Sequence, residues 1–111
     1  MQNLEIAAVL PFAQQVDYRE GEVVKKALAQ GQAVRLMLAA FDAGTEIATH
    51  TTKGDALVIA LEGQGKVTID GQEQIVKQGE AIVMPANHPH SVAAHQGRFK
   101  MFLVVEFLPE S

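Results

Sequence analysis

From Gly21 onward the chain alternates between short apolar runs and turns that contain glycine. The runs are shorter than typical buried helices and are bounded by turn residues, so they predict β-strands. The predicted strands are residues 23–28, 33–41, 47–52, 56–61, 66–69, 72–76, 81–84, 90–94 and 99–108. Many short strands at this spacing are typical of a sandwich or a barrel.

The turns follow from residues that tolerate unusual backbone angles. Asp70-Gly71 is the strongest hairpin signal, because a type I′ turn needs positive φ at both central positions. Gly31-Gln32 predicts another hairpin. Residues 62–65 and 96–97 are also predicted as turns, each separating two strands.

For two segments the pattern of apolar residues does not decide between alternatives. Residues 4–12 fit a helical turn or a leading strand, and residues 1–20 are expected to pack on the barrel (residues 21–111) or in a dimer interface. Residues 99–108 are apolar on both faces, which predicts either a central strand or a strand at a subunit interface. Exposed apolar edges favour self-association, so we expect a homodimer.

Length and composition narrow the function classes. The chain has 111 residues, which suits a single domain, and its formal net charge of −4 argues against a nucleic-acid partner. Without cysteine there are no disulfides and no thiolate ligands or nucleophiles. No basic residue precedes the apolar stretch near the N-terminus, and no apolar run reaches membrane-spanning length. The expectation is a cytoplasmic protein with no membrane partner.

Two segments resemble the motifs of the cupin superfamily. In the first, Gly44 is followed by His50, Thr52, Ala56 and Gly63 at the spacing of the family's Gly, His-x-His, Glu and Gly. In the second, the residues at the family's spacing for Gly, Pro-x-Gly, His and Asn are Gly79, Pro85, Asn87, His90 and Ala94. The chain is similar to small stand-alone bacterial cupins. The resemblance implies an all-β, single-domain jelly roll (double-stranded β-helix).

In metal-dependent cupins, three histidines and a glutamate of these motifs hold a divalent metal. Carried over position by position, only His50 and His90 remain, with Thr52 and Ala56 in place of a histidine and the glutamate. Two imidazoles are fewer than the three protein ligands of a usual site. His88, two residues before His90 and extended by Pro89, is the candidate third ligand, although a place in the loop at the barrel mouth is favoured.

The substitutions also remove volume and polarity from the expected interior. That space is either filled by bulky side chains or left as a pocket for a small, mostly apolar molecule. The residues expected to line such a pocket are His50, Thr52, His90, Met37, Met84, Phe41 and Met101.

Three hypotheses stay open. The favoured one is a small-molecule binding barrel without an assigned reaction. The alternative is a cupin enzyme, such as a dioxygenase or isomerase, using Fe, Mn, Zn or Ni on His50 and His90. The third is an interaction module whose dimer surface is the function.

Overall fold

The structure, a computed structural model, describes residues 1–108. Within that range one short 3-10 helix, Phe12–Gln15, precedes seven strands. The strands are β1 Val23–Gln30, β2 Val34–Phe41, β3 Glu46–His50, β4 Asp55–Ile69, β5 Gln72–Lys77, β6 Ala81–Met84 and β7 His90–Glu106. All pairings among them are antiparallel.

Two long strands, β4 and β7, pair along their lengths and organise the fold. The pairings join all seven strands into one sheet, in which the first part of β4 and the second part of β7 form one half with β1, β2 and β6. The other parts of β4 and β7 form the second half with β3 and β5. Because β4 and β7 pass from one half to the other, the sheet closes into an all-β jelly-roll barrel, as the family resemblance implies.

The turns predicted at residues 62–65 and 96–97 are wrong. Both segments lie inside continuous strands, β4 and β7, at the level where their pairing register shifts. Gly63, Gln96 and Gly97 do have positive φ (72°, 56° and 135°). There the positive φ belongs to an irregularity that bends the strands, and β-bulges commonly turn a strand from one sheet into another.

Other sequence predictions are confirmed. The β4–β5 hairpin turns at Asp70 and Gly71, with φ of 51° and 81°, and Gly31 donates its backbone N–H to Val34 across the β1–β2 turn. β6 has the predicted bounds and ends before Pro85. Of the two alternatives for residues 99–108, the structure has the central strand, because β7 lies between β2 and β4.

The N-terminal residues lie on the outside of the β1–β2–β7 sheet. Residues 4–12 contain no strand, and the helical turn begins at Phe12. The ring of Phe12 contacts that of Phe102 edge to face at 5.1 Å, and Val16 packs with Leu28 and Leu38 in a buried cluster. The division of the chain into residues 1–20 and 21–111 stays a prediction.

The main core fills the space between the two halves of the sheet. Its fully buried side chains include Phe41, Val58, Val67, Phe99 and Met101. Along β4 the buried residues alternate with less buried ones, as expected when one face of a sheet is buried, whereas β2 is buried on both faces from Leu38 to Phe41. In residues 1–108 no helix is long and apolar enough to cross a membrane.

Candidate functional site

A cavity of about 270 Å³ lies in the barrel interior, and its lining residues include members of β2, β4 and β7. Its wall is mainly apolar and includes Met37, Met84, Val92, Met101, Leu103 and Val105. The core therefore leaves part of the barrel interior open. Apolar walls with a few polar groups are the usual composition of a small-molecule site.

Two histidines that are far apart in sequence meet at this cavity. His50 ends β3 and His90 begins β7, and the two are paired in the β3–β7 register. Their ring centroids lie 4.5 Å apart at an interplanar angle of 71°. His90 is 1% exposed, whereas His50 is exposed, so His90 lies in the wall and His50 near the opening.

Backbone carbonyls orient both rings in the same way. Nδ1 of His50 lies 2.8 Å from the carbonyl oxygen of Ala48, and Nδ1 of His90 lies 3.0 Å from that of His88. A carbonyl can only accept, so this network assigns the proton to Nδ1 in each ring. Each neutral imidazole then carries its lone pair on Nε2. That of His90 is buried and has no hydrogen-bond partner in residues 1–108.

The surroundings of His90 favour its neutral form. Burial lowers the pKa of His90 below its ordinary value, and the neighbouring His50 lowers it further. The hydrogen bond to the His88 carbonyl acts in the opposite direction and is the smallest contribution. At neutral pH, His90 is therefore a hydrogen-bond acceptor at Nε2.

The other motif positions add little to a metal centre. The Thr52 hydroxyl donates to the backbone oxygen of Gly54 at 2.9 Å, and Ala56 has no donor atom. His88 is exposed outside the cavity wall, its Nδ1 2.7 Å from a carboxylate oxygen of Asp70. Asp55 is also exposed, and its carboxylate accepts the backbone N–H of Ala86.

The two imidazoles are therefore the candidate metal ligands at the cavity. In the part of the chain that the structure describes, no three His, Asp or Glu side chains gather into a group that could hold a metal. A stable divalent site usually has at least three protein ligands. The side chains present therefore do not form a complete metal centre, and we derive no chemical step from one.

Six of the seven predicted pocket residues line the cavity: Met37, His50, Thr52, Met84, His90 and Met101. Phe41 does not, and its prediction as a pocket residue is corrected. Its ring packs against that of Phe99, with centroids 5.4 Å apart, in the filled part of the core. Phe41 is fully buried there.

Three polar residues of the cavity wall were missed by the sequence reasoning: Lys25, Gln30 and Arg35. Strand alternation could have found one of them. Arg35 lies two residues before Met37 on β2, so both side chains point to the same face of the sheet. Nε of Arg35 is buried and, within residues 1–108, has no hydrogen-bond partner.

The fold and cavity define a single β-barrel with an interior pocket and a pair of histidines at its wall. The family model for the cupin domain matches residues 37–106, which is more than half of the chain. The protein belongs to the cupin family.

Solved structures agree with this assignment. A conserved protein of unknown function from Streptococcus pyogenes is 38% identical, with a TM-score of 0.91 over 98% of this chain and 94% of that one. A cupin superfamily protein from Desulfitobacterium hafniense DCB-2 is 31% identical, with a TM-score of 0.90 over 96% and 97%. A cupin 2 conserved barrel domain protein from Leptotrichia buccalis is 41% identical, with a TM-score of 0.83 over 85% of this chain and 45% of that one. No curated protein matches the chain.

Proposed function

We propose that this cupin binds a small organic molecule in the barrel interior, beside His50 and His90. The observation that carries the proposal is the open cavity of about 270 Å³, in whose wall Nε2 of His90 is buried and has no hydrogen-bond partner among residues 1–108. A buried polar atom without a partner costs about 1–3 kcal/mol. A bound molecule that donates a hydrogen bond to His90 offsets this cost.

Thermal unfolding with a panel of small organic molecules tests the proposal. A ligand at about 100 times its Kd stabilises the folded state by about 2.7 kcal/mol. For a domain of this size that raises Tm by on the order of 10 °C. We expect His90→Ala to weaken the shift, because it removes the acceptor in the cavity wall. His88→Ala is the matched control, since His88 lies outside the cavity.

Two outcomes would contradict the binding proposal. One is a panel in which no compound raises Tm. The other is a shift that is the same size in His90→Ala as in the unchanged protein, because such a ligand would bind elsewhere.

A metal-dependent enzyme that uses Fe, Mn, Zn or Ni, such as a dioxygenase or isomerase, is the second candidate. One observation favours it: both imidazoles have Nδ1 occupied by a backbone carbonyl, the tautomer that leaves Nε2 free for a metal. Metal analysis of untagged protein separates the two candidates. Stoichiometric metal that is lost in His50→Ala would support the enzyme, and sub-stoichiometric metal that His50→Ala leaves unchanged would remove it.

We further propose that the protein forms a homodimer and lies in the cytoplasm. In the third hypothesis, the dimer surface itself is the function. The support for the dimer is the exposed apolar side chains of the N-terminal segment, where Ile6 is 82% exposed and Val9 fully exposed. Light scattering of the unchanged protein and of an Ile6→Ser/Val9→Ser variant tests it. A monomer in both would contradict the dimer, and cell fractionation tests the location.

A further inference from the structure

The charge of the cavity differs from the charge of the chain. The chain has a formal net charge of −4. Two basic side chains, Lys25 and Arg35, line the cavity, and among residues 1–108 no aspartate or glutamate lines it. A concave, mostly apolar wall that carries charge of one sign focuses its potential on a ligand of the opposite sign.

Arg35 is placed so that its charge faces the interior. It lies on β2 opposite Val105 of β7, and the centre of its guanidinium lies 5.7 Å from the ring centroid of Phe107. Within residues 1–108 it makes no ion pair with a carboxylate. The guanidinium is thus held against an aromatic ring and borders the cavity, with no carboxylate partner among residues 1–108.

Arg35 and His90 complement each other as binding groups. In residues 1–108, the side-chain nitrogen and oxygen atoms buried without a partner are Nε of Arg35 and Nε2 of His90. Both residues line the same cavity. The Arg35 atom is a donor that lacks an acceptor, and the His90 atom in its neutral tautomer is an acceptor that lacks a donor. One molecule with both kinds of group would satisfy the two atoms together.

We propose that the ligand of the cavity is a small organic acid that also carries a hydroxyl or N–H group. Its carboxylate binds Arg35, its donor group binds Nε2 of His90, and its carbon skeleton contacts Met37, Met101 and Leu103. Lys25 adds positive charge at the same wall. This inference rests on the proposed binding function and names the class of molecule bound.

The cavity limits the size and charge of this acid. At about 270 Å³ the cavity lies near the lower end of the range of about 300–1,000 Å³ that is typical of small-molecule pockets, which limits the ligand to a small molecule. The planar guanidinium matches either carboxylate or phosphate. A phosphate group carries more charge and more acceptor oxygens than the largely apolar wall can pair, which favours a monocarboxylate.

Calorimetric binding to matched compounds tests the proposal. The aromatic set is meta-hydroxybenzoate, benzoate and meta-hydroxybenzamide, and the flexible set is omega-hydroxyhexanoate, hexanoate and omega-hydroxyhexanamide. Each amide matches its acid in shape but lacks the charge. In at least one set we expect the hydroxy acid to bind most tightly, at least about tenfold more tightly than its amide. Inorganic phosphate alone is expected not to compete.

Variants assign the two contacts. Arg35→Gln should raise the Kd of the acid at least about tenfold while changing that of the amide less than about twofold. Arg35→Lys, which keeps the charge, should lose less. His90→Leu should remove the advantage of the hydroxy acid over the acid without a hydroxyl. Arg19→Gln, at an exposed arginine outside the cavity wall, is the matched control and should change no affinity.

The outcomes separate this inference from the binding proposal. If amides bind in the cavity as tightly as acids, or if Arg35→Gln and Arg19→Gln act alike on the acid, the organic-acid inference is wrong while binding stands. The same holds if phosphate displaces the acid. If no compound of either set and no neutral compound of the Tm panel binds, both are wrong.

Discussion

In one region of the barrel interior the rings of Phe41 and Phe99 pack 5.4 Å apart, whereas in another Met37, Met101 and His90 border an open cavity. The filled region is so close-packed that a Cβ added to Gly65 would lie 2.5 Å from the ring of Phe99. The open region contains a cavity of about 270 Å³.

The same strands build both regions. β2 supplies Phe41 to the filled region and Met37 with Arg35 to the open one, and β7 supplies Phe99 and then Met101. A few residues along one strand thus separate close packing from open space. We infer that the filled region holds the barrel closed, so that the open region can keep buried polar atoms that have no partner within residues 1–108 and that a closed core would exclude.

Truncation in the filled region should have the largest effect on stability. Phe99 is fully buried, so Phe99→Ala removes its transfer free energy and leaves a cavity. We expect the free energy of unfolding to fall by about 3–5 kcal/mol. Urea unfolding followed by circular dichroism measures it.

Val83→Ala is the control for this truncation, because Val83 is 53% exposed and its loss should cost about 0.5 kcal/mol or less. A loss in Phe99→Ala no larger than in Val83→Ala would mean that the filled region does not stabilise the barrel.

The same contrast explains which parts of the fold could be predicted from sequence. Spacing and turn residues are local signals, and they led to the family, to the Asp70-Gly71 hairpin and to β6. Gly63 and Gly97, which adopt positive φ, are also a local signal in the sequence. Glycine with positive φ occurs in turns and in bulges alike, so this signal does not distinguish them. Only the long-range pairing of β4 with β7 distinguishes the two.

The candidate site could be predicted from the sequence to a similar extent as the fold. The motif spacing brings His50 and His90 together, and their rings do lie 4.5 Å apart. Whether a bulky residue fills the interior or borders a cavity depends on its neighbours across the barrel, which is why Phe41 was misplaced. Arg35 was missed because an arginine on a strand ordinarily lies on the solvent face, and the alternation with Met37 outweighs that rule here.

Substitutions that add side-chain volume should destabilise the filled region but leave the open region as stable as before or more stable. Gly65→Ala forces a methyl group into the Phe99 ring and should lower the free energy of unfolding by about 1–3 kcal/mol. Ala56→Val adds volume at a buried residue of the cavity wall, where space is open, and should be neutral or stabilise by about 0.5–2 kcal/mol. Urea unfolding measures both.

A double-mutant cycle identifies the contact responsible. In the Phe99→Ala background the Gly65→Ala change should cost far less, because the ring that it meets is gone. Equal cost in both backgrounds would show that Gly65 is needed for its backbone rather than for the ring. A cost for Ala56→Val as large as that for Gly65→Ala would contradict the difference in packing between the regions.

The smallest expected effect belongs to the open region and appears as a pH dependence. His90 has a lowered pKa in the folded state, because burial and the neighbouring His50 both disfavour its positive charge. As pH falls below about 6.5, the unfolded chain binds the proton first. The free energy of unfolding therefore decreases from that pH downward, until the pH has passed below the folded-state pKa of His90.

His90→Gln should flatten this part of the stability profile, while His95→Gln, outside the cavity wall, should not. Parallel profiles for the unchanged protein and His90→Gln would mean that the buried imidazole is not held neutral by its surroundings, and that the open region is more solvated than its wall of methionine and valine side chains implies.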